Sequence, residues 1–489
     1  MFRSTTLSRP KRRFAAGRWT IRAELRWVAG ALAAAGYRGG DPGAGAIEGV
    51  SIDTREDCEA RLFIALKGSL ADGHDYLDAA IGKGAAALLV SSGRKAEAAR
   101  IAGTIPVFAV EDTLAGLQAL AAAYRALVNP RVIAVTGSSG KTGTKDFIAA
   151  IVAKRFTVHA TPGNLNNHIG LPLTILGMDG SEDICVTEMG ANHRKEIKML
   201  TGIAKPDIGV VTNVGPAHLE HFGSLKGVAA AKAELLEALP GEGTAVLPAD
   251  DEFVDFLRER TKARTLTFGF SERADRRIVN IEKRESGGYR FRIGDIGIEV
   301  ARYGKHHVLN AAAAAVVGSI IGVSPEEIAS AVLEAPVHSG RGVLLDLEGI
   351  LFFDETYNSN PASLRAAVDA FMEIPARGRR WLVLGDMLEL GLSSADLHRE
   401  AGVSCGRTKV DGIFTMGAET VELNRAAAEQ RKSPEHITHF LDAAKLAGYL
   451  NELLAPGDAV LIKGSRGMHM EKIIESIGEA RGASPRRVD

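Results

Sequence analysis

The chain has 489 residues, which is enough for about three domains, and 46% of them are hydrophobic, so it can bury several cores. Its 59 lysines and arginines nearly cancel its 60 aspartates and glutamates, which argues against nucleic acid or a strongly charged surface as a partner. The three cysteines, Cys58, Cys185 and Cys405, lie far apart. Their spacing excludes a disulfide scaffold and a local zinc knuckle, and it favours a reducing cytoplasm.

The amino-terminal stretch is rich in arginine and contains no acidic residue before Glu24. No apolar signal-peptide core follows it, so secretion is not expected. Such a start is compatible with a transit peptide, but we interpret residues 1–18 as a disordered extension. The longest apolar run, residues 311–323, begins with five alanines and is shorter than the roughly 20 residues of a membrane span. It therefore predicts a buried helix, and no membrane span is expected.

Short strands and helices alternate from residue 19 to residue 128, which predicts a small α/β domain. Helices are expected over residues 19–36, 75–84 and 113–128, and strands over residues 49–55, 61–66, 86–92 and 105–110. Gly36 should end the first helix, and the pair Asn129-Pro130 marks the expected domain boundary.

A glycine-rich turn after the next strand is the strongest functional signal. Residues 131–145 read RVIAVTGSSGKTGTK: a β-branched run, a turn of small residues, then Lys141-Thr142 and the start of a helix. In such a turn backbone N–H groups close on phosphate oxygens, the lysine supplies charge, the threonine hydroxyl can bind Mg²⁺, and the helix dipole favours anions. The strict P-loop pattern needs glycine where this chain has Val135, so Gly137 gives a tighter loop. The alternative is an ordinary strand-to-helix turn with an exposed lysine.

Two further strands, in DICVTEMG and DIGVVTNVG, end near Glu188 and His218. Because the carboxyl ends of parallel strands share one edge, these residues could complete a metal site beyond Thr142. Taken singly, each is more typical of a surface or capping residue. Lys232 lies in a predicted helix, and its spacing alone indicates an ordinary solvated lysine.

The last part of the chain repeats the doubly wound pattern, with strands expected over residues 349–356, 379–387, 412–417 and 458–465. Before it, alternating runs around Gly287-Gly288 predict a hairpin. The fold class is therefore α/β with three domains. We expect a small α/β domain over 19–128, a P-loop-type mononucleotide-binding parallel sheet over 129–337, and a Rossmann-like domain over 338–489.

Nine segments, in order along the chain, resemble the Mur ligase family: TGSSGKTGTK, TPGNLNNHIGLPLTIL, TEMGANHRKEI, TNVGPAHLEHFGS, AAKAELLEAL, GKHHVLNAAAA, FDETYNSNPASLRAA, LVLGDMLELG and LIKGSRGMHMEKI. The resemblance implies that the three domains bind a UDP-sugar, ATP and a dipeptide, in that order. It implies an ATP-dependent ligase of peptidoglycan synthesis whose substrates are UDP-N-acetylmuramoyl-tripeptide and D-Ala-D-Ala. The tripeptide carboxylate would become an acyl phosphate, which the dipeptide amine then attacks. The resemblance also implies a cytoplasmic protein, and we expect a monomer.

The resemblance also implies roles for particular residues. ATP would contact Gly137, Ser138, Ser139, Gly140, Lys141, Thr142, Gly143, Asn310, Arg341 and Asp354. Two Mg²⁺ ions would be held with the help of Thr142, Glu188 and His218. The catalytic residues would be Lys141, His218 and Lys232, the last as a carbamylated lysine, which reverses its interpretation from spacing. The substrates would contact Ser51, Asp53, Arg55, Asn164, Asn166, Asn167, Lys463, Ser465 and Arg466.

One departure from the family pattern lies before the second strand, where Ala60-Arg61 replaces the usual Gly-Asp pair. Other functions stay open at this point. They are another Mur or folylpolyglutamate-type ligase, a non-catalytic ATP-binding module and a small-molecule kinase. The folylpolyglutamate synthetases share the phosphate loop but do not combine GNLNNHIGLP with YNSNP.

Overall fold

The computed structural model describes residues 21–431 and 436–488, so the expectation for residues 1–18 lies outside the described part of the chain. Its strands are β1 (Ala23–Glu24), β2 (Ala46–Ile47), β3 (Val50–Ser51), β4 (Leu62–Ile64), β5 (Ala87–Ser91), β6 (Val107–Val110), β7 (Arg131–Thr136), β8 (Val158–Ala160), β9 (Ile184–Glu188), β10 (Ile208–Val211), β11 (Thr244–Pro248), β12 (Arg264–Gly269), β13 (Arg276–Lys283), β14 (Tyr289–Ile293), β15 (Ile296–Val300), β16 (Val343–Leu347), β17 (Ile350–Glu355), β18 (Arg380–Gly385), β19 (Gly412–Met416), β20 (Ile437–Phe440), β21 (Ala459–Lys463) and β22 (Arg486–Arg487). Its α-helices are α1 (Leu25–Leu32), α2 (Leu77–Gly82), α3 (Lys95–Ala102), α4 (Thr113–Val128), α5 (Lys141–Val152), α6 (Gly170–Leu176), α7 (Glu196–Ala204), α8 (Leu219–Phe222), α9 (Leu225–Glu237), α10 (Val254–Arg258), α11 (Lys305–Ile321), α12 (Pro325–Glu334), α13 (Pro361–Phe371), α14 (Ser394–Arg407), α15 (Thr420–Glu429), α16 (Ala443–Leu453) and α17 (Glu471–Arg481).

The described residues fall into two compact units. The first comprises the chain up to Pro130 together with Thr161–Glu182, and the second comprises Arg131–Ala160 and the chain from Asp183 onward. The first unit therefore includes a segment that the sequence assigns to the central domain. The division at residues 128 and 337 stays a prediction.

The first unit contains the parallel sheet β3-β4-β5-β6 and the antiparallel pair β1-β2. The expected helix over 19–36 ends at Gly36 in the left-handed conformation, but α1 starts only at Leu25, because the two residues before it pair with β2. Helices α4 and α6 pack together, and the Tyr124 hydroxyl donates to the carbonyl of Met178 at 2.8 Å. Ala60, where the family usually has glycine, has φ of 55°, in the region that favours glycine.

The second unit contains a nine-stranded sheet in the order β15-β14-β13-β12-β11-β10-β7-β9-β8. Strands β7 to β13 run parallel, whereas β14 is antiparallel to its neighbours β13 and β15, so the hairpin predicted at Gly287-Gly288 is confirmed. Strand β7 carries the buried Ile133 and Val135 and contributes to the core between the sheet and helices α5, α11 and α12.

Helix α11 is the buried helix that the alanine-rich run predicts. Ala311 to Ala315 are all completely buried, and the helix packs along α5. Small side chains let the two helices approach closely: a Cβ on Gly318 would lie 2.6 Å from a methyl carbon of Ile151. This packing brings the start of α11 against the phosphate loop.

A second sheet in the same unit has the order β20-β19-β18-β21-β17-β16-β22, in which β16 is antiparallel to both of its neighbours, β17 and β22. Alternate residues of β18 serve two cores: Leu382 and Leu384 pack on one face, and Trp381 and Val383 pack on the other. Two-sided burial is typical of a doubly wound sheet, so the fold class predicted for this part is confirmed. No α-helix in residues 21–431 and 436–488 combines the length and apolar character that a membrane crossing needs.

Candidate nucleotide site

Strand register places the candidate site at the carboxyl edge of the nine-stranded sheet. Strand β7 lies between β9 and β10, with Val135 opposite Glu188 and Thr136 opposite Val211. The loop that follows β7 therefore emerges between the end of β9 and the residues that follow β10. These strands end where a ligand of a parallel sheet is expected to bind.

The glycines of the loop sit where side chains cannot. Gly137 has φ of 148°, and a Cβ there would lie 1.9 Å from Thr212 Oγ1. Gly140 has φ of 77°, and its Cβ would lie 2.5 Å from Asn310 Oδ1. A Cβ on Gly143 would lie 3.2 Å from Asn310 Nδ2. The loop is thus held tightly between α11 and the end of β10, and glycine is required for that fit.

Residues after β10 fix the loop from its other side. The amide of Ser138 donates to the Asn213 carbonyl at 3.1 Å, and the amide of Ser139 donates to Asn213 Oδ1 at 3.0 Å. Thr212 Oγ1 donates to the Ser139 carbonyl at 2.6 Å, and Ser138 Oγ donates to the Gly215 carbonyl at 2.9 Å. The two serine amides are therefore engaged within the protein.

The amides available for phosphate are those at the start of α5. Gly140, Lys141, Thr142 and Gly143 have no backbone N–H acceptor among the described residues, as the first turn of a helix leaves them. Lys141 Nζ donates back to the carbonyl of Gly137 at 2.8 Å. Burial lowers the pKa of Lys141; Glu188 raises it and Arg341 lowers it. The loop offers an anion both N–H donors and a lysine whose charge no carboxylate pairs with in the described chain.

The chemistry of one buried pair fits a magnesium ion. Thr142 Oγ1 donates to Glu188 Oε2 at 2.7 Å, and the two residues are 4% and 2% exposed. Both are hard oxygen donors, and Mg²⁺ is usually held by one or two such protein groups together with phosphate oxygens and water. No group of three or more His, Cys, Asp or Glu residues in the described chain could hold a metal by itself. A bound phosphate would therefore have to complete the coordination.

His218 follows β10 and starts α8 with φ of 53°. Its Nδ1 contacts the carboxylate of Glu389, and its side chain is 26% exposed. Burial lowers the pKa of His218; the charges of Lys141 and Lys232 act in the same direction, and Glu389 opposes them. Two lysines therefore lie close enough to His218 to act on its charge.

Lys232 is buried in α9 and is only 2% exposed, so its interpretation from spacing as a solvated lysine is wrong. Its Nζ lies 5.7 Å from the centre of the Phe222 ring. Burial lowers the pKa of Lys232 to about 7; the charge of Lys141 adds to this, and Glu234 and Glu196 oppose it. The hydrophobic helix pattern could not reveal this burial, because the covering residues come from elsewhere in the chain.

The remaining residues predicted to contact the nucleotide reach the site differently. Asn310 lies directly against Gly140. The Arg341 guanidinium stacks over the Tyr357 ring at 3.6 Å, and its charge lowers the pKa of Lys141. Asp354, at the end of β17, accepts from the Gly340 amide at 2.8 Å and from Thr356 Oγ1 at 2.6 Å. In this structure Asp354 therefore fixes the segment that carries Arg341.

The three residues predicted near the dipeptide lie together after β21. Lys463 Nζ pairs with Glu355 Oε2 at 3.0 Å and donates to the Asn358 carbonyl at 2.8 Å. Ser465 Oγ accepts from the Leu388 amide at 2.9 Å. Arg466 pairs with Glu471 at 3.0 Å, and 56% of its side chain is exposed.

The residues predicted to bind the UDP-sugar and the muramyl-peptide belong to the first unit. Ser51 Oγ donates to the Asp53 carbonyl at 3.2 Å, and Arg55 pairs with the Asp53 carboxylate at 2.6 Å, with 89% of its side chain exposed. Asn167 Oδ1 accepts from the Gly170 amide at 2.9 Å at the start of α6, as a turn-forming asparagine does. The exposed Asn164 and the partly buried Asn166 complete this turn.

Two residues of the site were not predicted from the sequence. Asn213 anchors the phosphate loop, and Glu389 contacts His218. Asn213 lies in TNVG, directly after a strand already chosen, so strand-end position could have indicated it. Glu389 is 171 residues from His218 in sequence, and no local pattern joins them.

A phosphate loop after an inner strand of a parallel sheet, with a hydroxyl–carboxylate pair beside it, defines a nucleotide-binding α/β protein of the P-loop kind. Three family models match the chain: Mur ligase family, catalytic domain, over residues 46–125; Mur ligase middle domain over 135–318; and Mur ligase, glutamate ligase domain, over 340–466. The chain belongs to the Mur ligase family.

Individual relatives agree with this assignment. UDP-N-acetylmuramoyl-tripeptide--D-alanyl-D-alanine ligase of Bacillus subtilis (strain 168) is 36% identical over 439 residues, covering 89% of this chain and 94% of the relative. A crystal structure of MurF from Acinetobacter baumannii is similar with a TM-score of 0.83 and 29% identity, covering 94% of this chain and 99% of that one. The crystal structure of MurF ligase from Thermotoga maritima in complex with ADP is similar with a TM-score of 0.75 and 29% identity. The match covers 88% of this chain and 97% of that one. The family and α/β fold predicted from the sequence are confirmed.

Proposed function

We propose that this protein is an ATP-dependent ligase that joins D-Ala-D-Ala to the peptide carboxylate of UDP-N-acetylmuramoyl-tripeptide in peptidoglycan synthesis. The observation that carries the proposal is the phosphate loop, with first-turn amides and Lys141 available to an anion beside Thr142 and Glu188. The name of the Bacillus subtilis relative supports the choice of substrates, and the ADP in the Thermotoga maritima structure supports the nucleotide.

The first step activates the carboxylate. A carboxylate oxygen attacks the terminal phosphorus of ATP, the bond to ADP breaks, and an acyl phosphate forms. Two anions must meet for this to happen, so cations and N–H donors have to balance the developing charge. Lys141 and the amides of Gly140 to Gly143 bind the phosphates. Thr142 and Glu188 would hold one Mg²⁺ and His218 a second, and each ion would neutralise phosphate charge there.

The second step forms the amide. The amine nitrogen of the dipeptide, after losing one proton, attacks the acyl carbon, and the tetrahedral intermediate expels phosphate. The nitrogen loses a second proton, so one proton ends on inorganic phosphate and one in the solvent. Asn310, Arg341 and Asp354 would hold the nucleotide during both steps. Water has to be excluded, because it would compete with the amine for the acyl phosphate.

Lys232 is proposed to act as a carbamate. A lysine whose pKa is about 7 is about half neutral at pH 7, and the neutral amine is the form that adds to carbon dioxide. The N–C bond forms, one proton leaves to the solvent, and the neutral amine becomes an anion close to Lys141 and His218. Lys232→Ala should lose activity, and short carboxylic acids should restore part of it. Lys226→Ala, an exposed lysine on the same helix, is the control.

The remaining contacts are proposed from the family pattern. Ser51, Asp53 and Arg55 would bind the UDP-sugar, and Asn164, Asn166 and Asn167 the muramyl-peptide. Lys463, Ser465 and Arg466 would face peptide or dipeptide carboxylates. We also propose that the protein acts in the cytoplasm, where the free, buried Cys58, Cys185 and Cys405 would stay reduced, and that it is a monomer, which size-exclusion chromatography with light scattering would test.

The decisive experiment is a phosphate-release assay with separately added substrates. The proposal expects phosphate from ATP only when UDP-N-acetylmuramoyl-tripeptide and D-Ala-D-Ala are both present, with the pentapeptide product identified by mass spectrometry. Turnover with a single free amino acid would indicate another Mur or folylpolyglutamate-type ligase. A stable phosphorylated product without an amine would indicate a kinase, and tight ATP binding without any product would indicate a binding module.

A further inference from the structure

Glu389 is an acidic residue that no expectation from sequence assigned, and it reaches the candidate site from the carboxy-terminal sheet. Its side chain accepts a hydrogen bond at Oε2 from His218 Nδ1. The backbone amide of Glu220 also approaches the Glu389 carbonyl at 3.5 Å. The contact therefore joins the loop after β18 to the loop after β10.

The loop that carries Glu389 is held in place by its own sheet. The Asp386 carboxylate accepts from the amides of Ala418, Glu419 and Thr420 at 2.9, 3.1 and 2.8 Å, at the start of α15. Further along the loop, the Leu388 amide donates to Ser465 Oγ at 2.9 Å. The backbone of the loop that carries Glu389 is therefore fixed by contacts within its own sheet.

The backbone at both ends of the contact is in an unusual conformation. His218 has φ of 53° and Glu389 has φ of 63°, although neither is glycine. Residues with side chains adopt this region only where the surroundings enforce it, and such positions cluster at functional sites.

The two ring nitrogens of His218 have different surroundings. Nδ1 faces a carboxylate, and Nε2 has no hydrogen-bond partner among the described residues. A histidine that binds a metal commonly donates its other N–H to a carboxylate, which fixes the tautomer and the ring orientation. The charges of Lys141 and Lys232 lower the pKa of the same ring, Glu188 accepts from Thr142, and Glu220 is exposed. Glu389 is thus the carboxylate that orients His218.

We propose that Glu389 is a positioning residue, which holds His218 in the tautomer that presents Nε2 to the metal and phosphate groups. This inference rests on the proposed function for the identity of those groups. Because Glu389 is carried by the carboxy-terminal sheet, the central site is completed only when that sheet's loop lies against it. When the loop that carries Glu389 contacts the central site, it also orients His218 beside the phosphate loop.

The direct test reads the imidazole itself. Protein labelled with ¹⁵N-histidine is studied without nucleotide at pH 8, and the His218 signals are assigned by their loss in His218→Asn. Wild type should show a protonated Nδ1 and an unprotonated Nε2. Glu389→Ala should shift His218 toward the other tautomer, Glu389→Gln should keep part of the preference because its amide oxygen still accepts, and Glu220→Gln should leave it unchanged.

A second test measures metal binding and turnover. With ADP present, Mn²⁺ affinity measured by electron paramagnetic resonance should fall by about 10- to 100-fold in Glu389→Ala, less in Glu389→Gln and not in Glu220→Gln. In the ligase assay kcat should fall in the same order, with little change in the KM for D-Ala-D-Ala.

Two outcomes would overturn the inference. In one, the His218 tautomer and Mn²⁺ affinity stay at wild-type values in Glu389→Ala. In the other, the variant raises only the KM for D-Ala-D-Ala, which would make Glu389 a dipeptide contact. If wild-type protein forms no amide, the proposed function fails, while the resonance and Mn²⁺ measurements still decide the role of Glu389.

Discussion

The two large sheets of the second unit treat a buried lysine at the carboxyl edge in opposite ways. Lys463, 2% exposed at the end of β21, is paired with Glu355 at 3.0 Å. Lys232, equally buried beside the nine-stranded sheet, has no carboxylate partner within the described chain, and burial lowers its pKa to about 7. Lys141 likewise has only backbone carbonyls. The edge of the carboxy-terminal sheet thus pairs its buried lysine with a carboxylate of the protein. The edge of the nine-stranded sheet leaves its lysines without a carboxylate partner in the described chain, so they can interact with a ligand.

This difference predicts opposite responses to removing a charge. A buried cation with a protein partner stabilises the fold through the pair, so its loss leaves an unpaired carboxylate. A buried cation without a partner is a cost to the fold that only the bound anion offsets. Variants of the paired lysine should therefore lose stability, whereas variants of the unpaired lysines should lose activity. Four variants test this difference, in order from the largest expected effect to the smallest.

Lys463→Met should have the largest effect on folding. The change keeps the side-chain volume but leaves Glu355, whose side chain is 14% exposed, without its partner, so the free energy of unfolding should fall by about 3–5 kcal/mol. Urea denaturation measures it. The double variant Lys463→Met with Glu355→Leu removes both charges and should recover most of the loss. An unchanged denaturation midpoint in the single variant would show that this edge does not depend on its pair.

Lys141→Ala should reduce kcat by about 10²- to 10³-fold, because one donor to the developing phosphate charge is lost. Its thermal unfolding midpoint in the absence of nucleotide should not fall, since no ion pair is broken. Phosphate release and differential scanning calorimetry provide the two measurements. Lys154→Ala, just beyond α5 and paired with Glu334 at 2.8 Å, should leave kcat unchanged. Activity retained in Lys141→Ala would remove the phosphate loop from the mechanism.

Lys232→Met should change how stability depends on pH. Below about pH 7 the lysine is charged in both states, so the cost of burying the charge is fully present. Between the folded pKa of about 7 and the ordinary value of 10.5, the unfolded chain holds a proton that the folded chain has lost. Wild-type stability should therefore rise with pH there, by up to about 1.4 kcal/mol per unit from this group. The methionine variant should lack this slope.

The measurement for Lys232 is urea denaturation at pH 7 and pH 9.5 in buffer free of carbon dioxide. Lys226→Met, on the exposed face of the same helix, serves as the control and should keep the wild-type slope. If the free energy of unfolding depends on pH equally in wild type and Lys232→Met, the folded state does not lower the pKa of Lys232, and the prediction is contradicted.

Arg302→Met tests a buried cation of an intermediate kind. Arg302 is 8% exposed and donates to the carbonyls of Ala335 and Pro336 at 3.2 and 2.7 Å, while its guanidinium lies 4.4 Å from the Phe147 ring centre. Methionine keeps most of the packing but leaves the carbonyls unsatisfied, so unfolding should become easier by about 1–3 kcal/mol. Arg277→Met, a half-exposed surface position, should change stability by less than about 0.5 kcal/mol. A similar change in the free energy of unfolding for both variants would show that the contacts of Arg302 contribute no more to stability than those of a surface arginine.

The sequence predicted most reliably what is local. The strand, loop and helix of residues 131–152 follow from the β-branched run, the glycines and the helix pattern, and Glu188 was placed correctly at an adjacent strand end because strand ends share an edge. The burial of Lys232 could not be predicted, because α9 has the same local pattern whether or not other segments cover it. The contact between His218 and Glu389 joins two separate sheets, and only the tertiary structure brings them together.

The limits at the domain level have the same origin. Thr161–Glu182 packs with the first unit although it lies between strands of the nine-stranded sheet in sequence, and no composition change marks its ends. The first expected helix also began too early, because Ala23 and Glu24 take their conformation from pairing with β2. In both cases a distant partner decides what a short segment does.

The charge of Lys141, which no carboxylate pairs with in the described chain, has a practical consequence for handling this protein. Small multivalent anions such as sulfate or phosphate should occupy the same region and raise the melting temperature, by an amount that grows with their concentration. Inhibitor screens run in phosphate buffer would then underestimate weak acidic compounds, which must displace the buffer ion. A buffer with a bulky monovalent anion would reveal them.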